Sequence, residues 1–257
     1  MSFRSGQIAV AFSVALAAAA IGGCGSSDQS TSTSMPTANP APTSGTYAPP
    51  AIDPANFVSK VNNPYLPLTP GTTLRYRGVM KNGTTPQTDT FAITHRKKQV
   101  MGIGCTVVSD TVTSRGQPVE RTFDWFAQDR QGNVWYMGEE TQELKHGHFG
   151  KMIDSGPAGL NGAQPGIMME AAPKAGDSYW QFHWPGHALD TAKVLGNGGP
   201  INVPYRSFKN TLLTQEQSPL EPGVKDQKWS VPGIGYVKER AAAGTKEQIK
   251  LVSVTKR

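Results

Sequence analysis

Cysteine is scarce in this chain of 257 residues, which contains only Cys24 and Cys105. Two cysteines allow at most one disulfide, so the fold cannot rest on a disulfide framework. Cys105 lies in the apolar, β-branched stretch 103–108, a setting that favours a buried packing residue over a reactive nucleophile. The stability of the domain must therefore come from its hydrophobic core.

Long apolar runs and concentrated charge are also lacking. The longest apolar run, 8–23, is rich in Ala and Gly and falls short of the ~20 strongly apolar residues that a membrane-spanning helix needs. The chain carries 25 basic and 19 acidic residues, a net charge of +6, but the basic residues are scattered. Because nucleic-acid binding requires a concentrated basic surface, we expect no nucleic-acid partner.

Enzyme motifs are missing as well. The chain has no Gly-x-Ser-x-Gly, His-Glu-x-x-His, P-loop or dinucleotide glycine pattern. The carboxylates of Asp124, Asp129, Glu139 and Glu140 lie near one predicted hairpin, but nothing in the sequence sets the ~5–9 Å separation of a glycosidase pair. The sequence therefore predicts a protein that is not an enzyme and that carries no cofactor.

What the sequence does contain begins with its N-terminus. Arg4 precedes an apolar stretch from Ile8 to Ile21, as in a secretory signal peptide. The run Ile21-Gly22-Gly23-Cys24 resembles the bacterial lipobox. The resemblance implies removal of residues 1–23, palmitate-type acylation of Cys24, and anchoring to the cell membrane or outer membrane on its extracytoplasmic face. Two or more acyl chains hold a protein durably in a bilayer.

Two further segments follow the signal peptide. Residues 24–50 are mostly Ser, Thr, Pro, Ala and Gly, a composition that cannot bury enough apolar surface to order itself. We therefore predict a lipidated cysteine followed by a disordered tether. Residues 51–257 are long enough for one compact domain, and no linker divides them.

The sequence predicts an all-β domain with little helix, because apolar and polar residues alternate with a period of two between closely spaced turns. We expect a single domain built on a strongly curved antiparallel sheet, a sandwich or a partial barrel. Only 188–195 and 241–247 could form short helices. The predicted strands are 73–79, 89–96, 105–112, 119–127, 134–137, 178–183, 192–195, 208–215, 226–231, 236–239 and 248–254.

The segment 154–177 breaks this pattern. It is rich in Gly and Pro but has Ile167, Met168 and Met169 at its centre. A long loop inside a compact domain is unusual and is often functional. We expect either a plug across an open sheet edge or a lid over a pocket.

Several motifs resemble those of a family of uncharacterised bacterial lipoproteins, over nearly all of 53–238. The resemblance implies an all-β lipoprotein and brings no activity. The C-terminal motifs are more weakly similar to envelope half-barrels of the lipoprotein-carrier type, which wrap a curved sheet around an apolar ligand. The matching runs are DPANF (53–57), NPYLPLTPGT (63–72), DWFAQD (124–129), GNVWY (132–136), GAQPGIMM (162–169), SFKN (207–210) and VPGIGYVK (231–238).

Two sets of side chains are candidates for binding. His146, His148, His183 and His187 could bind Zn²⁺ or copper if the two pairs converge, although solvated histidines at turns and strand ends are the simpler interpretation. Aromatic and Met side chains could line a ligand groove instead of an ordinary core. That second set is Trp125, Trp135, Tyr136, Met168, Met169, Trp180 and Trp184.

These observations predict a membrane-anchored extracytoplasmic lipoprotein of the cell envelope that binds an apolar or amphipathic ligand in a curved β-sheet. The alternative is a structural or assembly protein of the envelope that binds a protein or cell-wall partner. A third possibility is metal binding through the histidines. The expected partners are the lipid bilayer, through acylated Cys24, and an apolar small molecule or an envelope protein.

Overall fold

The computed structural model of the protein describes residues 47–145, 148–151 and 155–256. The predicted signal peptide, Cys24 and most of the predicted tether lie outside these residues. Within them the fold is nearly all β and antiparallel, apart from one 3-10 turn at Pro54–Asn56, which confirms the predicted fold class. No helix in the described part is long and apolar enough to span a bilayer.

Sixteen strands lie within the described residues. Most are joined by short turns, as the spacing of turn residues predicts. They are β1 Phe57–Val58, β2 Thr72–Val79, β3 Pro86–Val100, β4 Ile103–Ser114, β5 Gln117–Asp129, β6 Val134–Lys145, β7 His148–Lys151, β8 Gln164–Met169, β9 Ser178–Trp184, β10 Ala188–Asn197, β11 Ile201–Asn202, β12 Ser207–Phe208, β13 Leu212–Gln217, β14 Lys225–Val231, β15 Gly235–Ala243 and β16 Gln248–Lys256.

Twelve of these strands form a closed ring. The order is β5-β4-β3-β2-β16-β15-β14-β13-β10-β9-β8-β6, and β6 then pairs with β5 to complete the circle. The sequence was compatible with a curved sheet, a sandwich or a partial barrel. The β5–β6 pairing makes the sheet a closed barrel. Closure satisfies the backbone groups that an open sheet edge would expose.

The two segments that the sequence allowed as short helices are not helical. Ala188–Asn197 is strand β10, paired with β9 on one side and with β13 on the other. Residues 241–243 belong to β15, and the remainder of 241–247 forms the turn that leads to β16. Ala and Leu favour helix locally, but hydrogen bonds from neighbouring strands override that preference.

The predicted long loop at 154–177 is also wrong at its centre, because Gln164–Met169 forms strand β8 of the barrel. Residues 165–169 are all buried, so the strand lacks the alternation by which half-buried strands are recognised. β8 lies between β6 and β9. Gly166 allows this close approach, since a Cβ there would lie 2.2 Å from the carbonyl oxygen of Trp180.

The barrel has two ends, which we call the cap end and the far end. The cap end carries the turns at 130–133 and 232–234, and the far end carries those at 115–116, 185–187, 218–224 and 244–247. Residues 59–71 lie against the cap end, where they place Val61, Leu66 and Leu68 in the hydrophobic core. The backbone N–H of Gly233 donates to the carbonyl of Pro64 at 2.8 Å.

Asn63 joins this cap to the barrel. Its side-chain amide donates to the carbonyl oxygens of Gly132 and Glu170, each at 2.9 Å. Its side-chain oxygen accepts from the backbone N–H groups of Tyr65 and Leu66. Because the side chain is 2% exposed, these bonds replace those that water would supply.

Replacing Asn63 with Ala is expected to lower the free energy of unfolding by about 3 kcal/mol, because it leaves buried backbone groups without partners. Urea denaturation measures the change. Asn202→Ala, at an exposed position on the short strand β11, is the matched control and should cost under about 0.5 kcal/mol. Equal losses in the two variants would contradict the role of Asn63.

Candidate functional site

The seven aromatic and Met side chains predicted to contact a ligand are all buried. Their exposed fractions range from 0% for Met169 to 6% for Trp180 and Trp184. Six of them belong to the hydrophobic core cluster, and Trp180 lies outside it. Contacts within the chain therefore account for their burial, and their role in ligand binding stays a prediction.

The chain itself supplies hydrogen-bond partners for the polar atoms of Trp135, Tyr136 and Trp184. Trp135 Nε1 donates to Asp129 Oδ2 at 2.9 Å, and Trp184 Nε1 donates to the carbonyl of Asn161 at 2.9 Å. Asp129 also accepts from the backbone and side chain of Asn133. Asp129 thus organises the β5–β6 turn.

The structure describes three of the four predicted histidines and places them on two separate elements. His148 is exposed on β7, while His183 and His187 flank the turn after β9. The His187 ring stacks on Trp184 with ring centroids 4.2 Å apart, the proximity expected of a Pro-Gly turn. Among the described residues, no three His, Cys, Asp or Glu side chains are arranged to hold a metal ion. His146 lies outside those residues, so the metal site stays a prediction.

Cys105 is fully buried, as the sequence predicts for a packing residue. Its Sγ donates to the carbonyl of Ile103. Burial raises the pKa of this thiol to about 12, so it carries no nucleophilic thiolate at neutral pH.

Tyr47, the first described residue, lies against the wall of the barrel. Its ring stacks on His183, with centroids 3.4 Å apart and an interplanar angle of 5°, and it meets Trp180 edge-on. Burial lowers the pKa of His183 and raises the pKa of Tyr47 to about 12. The segment that the sequence assigns to the tether therefore contacts the barrel at Tyr47.

Tyr47→Ala is expected to raise the pKa of His183 toward its ordinary value, because removing the ring readmits water to the imidazole. The measurement is a pH titration of the imidazole resonances by NMR. Tyr47→Phe keeps the stacked ring and should leave the titration unchanged. A titration that is the same in all three proteins would show that Tyr47 does not cover His183 in solution.

The interior of the barrel contains a row of carboxyl groups that crosses four strands. The row consists of Asp89 on β3, Asp110 on β4, Asp124 on β5 and Glu139 on β6. None of these residues is more than 6% exposed. Asp124 and Glu139 are directly opposite in the β5–β6 ladder.

Burial raises the pKa of all four carboxyls, which favours their protonated forms. Burial raises the pKa of Asp89 and of Asp110, and the nearby charge of Asp110 raises the pKa of Asp89 further. Burial and the nearby charge of Glu139 raise the pKa of Asp124. The Tyr136 hydroxyl lies 2.6 Å from Glu139 Oε2 and 3.2 Å from Asp124 Oδ1. A hydroxyl has one proton, so the shorter contact is its donor bond and the longer one suits a protonated Asp124.

A buried cation faces the acids on the opposite wall. Lys228 Nζ lies 2.5 Å from Glu216 Oε2 and 3.8 Å from Glu239 Oε2. Gln181 Nε2 donates to the other oxygen of Glu216 at 3.0 Å. Burial alone would lower the pKa of Lys228, yet the charges of Glu216 and Glu239 raise it. The interior therefore favours positive charge strongly enough to overcome desolvation.

The interior acids make the stability of the barrel depend on pH. A carboxyl whose pKa is raised in the folded state binds a proton there that the unfolded chain has released, so the free energy of unfolding falls as pH rises above about 4. We expect the wild-type protein to be less stable at pH 8 than at pH 5. Asp89→Asn cannot titrate and should weaken this dependence, as measured by urea unfolding at both pH values.

Glu140→Gln is the matched control, because Glu140 is on β6 but points away from the interior row. Any contribution of His183 is common to all three proteins and cancels in the comparison. Equal pH dependence in wild type and Asp89→Asn would contradict a protonated interior.

An open cleft lies outside the core at the cap end. Its volume is about 280 Å³, close to the lower limit of ~300 Å³ for small-molecule sites. The cleft combines apolar rings with amide and hydroxyl groups. It is lined by Tyr65, Pro173, Gly196, Asn197, Asn210, Thr211, Leu212 and Pro232.

Hydrogen bonds hold the walls of this cleft. The backbone N–H of Gly198 donates to the carbonyl of Thr211 at 2.8 Å, and the Thr211 hydroxyl donates to the carbonyl of Gly199 at 2.9 Å. Asn197 Oδ1 accepts from Gly199 N–H. The Asn210 side chain is exposed and has no hydrogen-bond partner among the described residues. The cleft thus presents a preformed surface with one free amide.

The sequence placed Asp124 and Glu139 near one hairpin, but it did not identify Asp89 and Asp110 as members of the same row, and it did not identify the cleft. A signal for two of the acids was present in the sequence. Asp89 is an even number of residues from Phe91 and Ile93, and Asp110 is an even number of residues from Val108 and Val112. A period of two therefore places both acids on the buried face. The cleft carries no such signal, because its residues come from five separate parts of the chain.

Neither protein-family models nor curated proteins match this chain. Two solved structures resemble its fold. One is a protein of Bacteroides fragilis that is provisionally described as exported and as having a YmcC-like fold. It is 12% identical to this chain, the alignment covers 75% of this chain and 99% of that chain, and the TM-score is 0.40. The other is a provisionally described lipoprotein of Parabacteroides distasonis, with 10% identity, 74% and 98% covered, and a TM-score of 0.41. At these scores the likeness adds no argument about function.

Proposed function

We propose that this chain is a membrane-anchored extracytoplasmic lipoprotein that binds an amphipathic ligand without catalysing a reaction. The lipobox at 21–24 and the polar tether composition support the anchor. The anchor would lie in the cell membrane or the outer membrane. The cleft at the cap end supports the binding role, and it is the observation that carries this proposal.

The chemistry of the cleft fits an amphipathic molecule better than a purely apolar one. Tyr65, Pro173 and Pro232 offer rigid apolar faces, while the free amide of Asn210 offers both donors and an acceptor. The barrel interior is a less suitable site for an apolar ligand, because the aromatic and Met side chains there already pack on one another. The non-enzymatic role agrees with carboxyls that are too buried to meet a substrate.

The second candidate is a structural or assembly protein that holds an envelope protein or a cell-wall polymer. The same cleft supports this candidate, because a sugar ring has an apolar face that can pack on Tyr65 and polar edges that can bond to Asn210. In that case the cleft would bind one unit of a polymer instead of a free small molecule.

Native mass spectrometry of the full chain, purified gently from a bacterial envelope, tests the proposal. We expect an adduct of a small amphipathic molecule on the wild-type protein. Tyr65→Ala and Asn210→Ala should each reduce its occupancy roughly tenfold, because each removes about 1.4 kcal/mol of contact energy. Asn202→Ala, outside the cleft, should leave the occupancy unchanged.

Two added probes separate the candidates: an N-acetylglucosamine oligomer and a short-chain phospholipid. Binding of the glycan oligomer alone would favour the cell-wall partner, and binding of the phospholipid would favour the small amphipathic ligand. Adducts that persist equally in Tyr65→Ala and Asn210→Ala would show that the cleft is not the site.

A further inference from the structure

A second cavity lies at the far end of the barrel, opposite the cleft. Its volume is about 20 Å³, and a cavity of ~10–15 Å³ already holds one water-sized group. The turn between β13 and β14 forms its rim through Ser218, Glu221 and Val224. Carboxyl and amide side chains form the rest of its wall: Gln181, Asp190, Glu216, Gln217, Asp226 and Glu239.

Five carboxyl residues line this small space. Lys228 pairs with Glu216 and Glu239. The remaining three, Asp190, Glu221 and Asp226, form no ion pair within the part of the chain that the structure describes. The wall therefore has more acidic groups than the one lysine neutralises.

Asp190 provides an independent indication that the cavity is built for an occupant. The residue is 6% exposed and lines the cavity, and its Oδ2 atom is buried without a hydrogen-bond partner among the described residues. A buried carboxyl oxygen without a donor costs free energy unless something binds it. A donor placed in the cavity would satisfy this atom.

A small cation that carries N–H donors would supply both a donor to Asp190 and positive charge to the acidic wall. No three acidic side chains in the described part converge closely enough for a metal ion, and calcium would need several oxygens at ~2.3–2.6 Å. An ammonium group binds carboxylates at the longer distance of ~2.7–2.9 Å. Lys228 shows that this environment favours such a group, because its ammonium donates to Glu216, whose other oxygen accepts from Gln181.

We propose that the far-end cavity binds the primary ammonium group of a small aliphatic amine. The ammonium donates to Asp190 and to the neighbouring carboxyls, and the hydrocarbon stem passes Val224 toward solvent. The site is separate from the cap-end cleft and does not depend on it. Since burial raises the pKa of Asp190 and Asp226, the amine would displace protons from the wall as it binds.

Isothermal titration calorimetry of the full chain with butylamine tests this proposal, and 1-butanol serves as the neutral probe of the same shape. We expect butylamine to bind with release of protons, seen as a binding enthalpy that depends on the buffer, and 1-butanol not to bind. Asp190→Asn should weaken butylamine binding at least tenfold. Glu140→Gln, an acid on the outer wall, should leave it unchanged.

Glu221→Gln provides a second variant at the partly exposed rim, where folding is not at risk, and it should weaken binding about threefold. Thermal unfolding of each variant verifies that the barrel is intact. Three results would overturn the proposal: equal binding of 1-butanol and butylamine, binding of Ca²⁺ or K⁺ with no binding of the amine, or unchanged amine affinity in folded Asp190→Asn.

Discussion

The burial of carboxyl groups inside a closed ring of strands is the constraint on which the rest of this structure depends. A ring of twelve strands encloses a volume that side chains must fill. Here the core aromatics fill part of it, and the row from Asp89 to Glu139 fills much of the remainder. Carboxyls in such a place must hold protons or meet a cation, so their pKa values rise and Lys228 takes its position among them.

The two ends of the barrel differ in the segments that lie across them. At the cap end, Asn63 joins to the barrel a segment that places Leu66 and Leu68 in the core, and an open cleft lies beside this cap. At the far end, short turns surround acidic side chains, and a small cavity reaches Asp190. The two sites share no lining residue.

Much of the fold could be predicted from local pattern, and the exceptions have specific causes. Alternation placed the centres of β2, β3, β4 and β5 correctly because one face of each is polar. β8 was assigned to a loop because both of its faces are buried. For β10 the sequence allowed a short helix over 188–195 as well as a strand over 192–195, and the structure shows the strand. Histidines were grouped by spacing along the chain, whereas His183 instead packs against Tyr47, more than a hundred residues earlier.

The amino-acid sequence by itself determined the class of the fold, the burial of Cys105 and the parity that sends Asp89 and Asp110 inward, since each follows from composition or from a period of two. Only the tertiary structure decided that the sheet closes, because closure depends on the pairing of β5 with β6 and on β8 reaching β9. It also decided which acids meet and which remain unpaired, as with Asp190. The physical reason is that pKa values, cavity shape and charge balance depend on groups that are distant from one another in the chain. A local sequence pattern does not determine how far apart such groups lie in space.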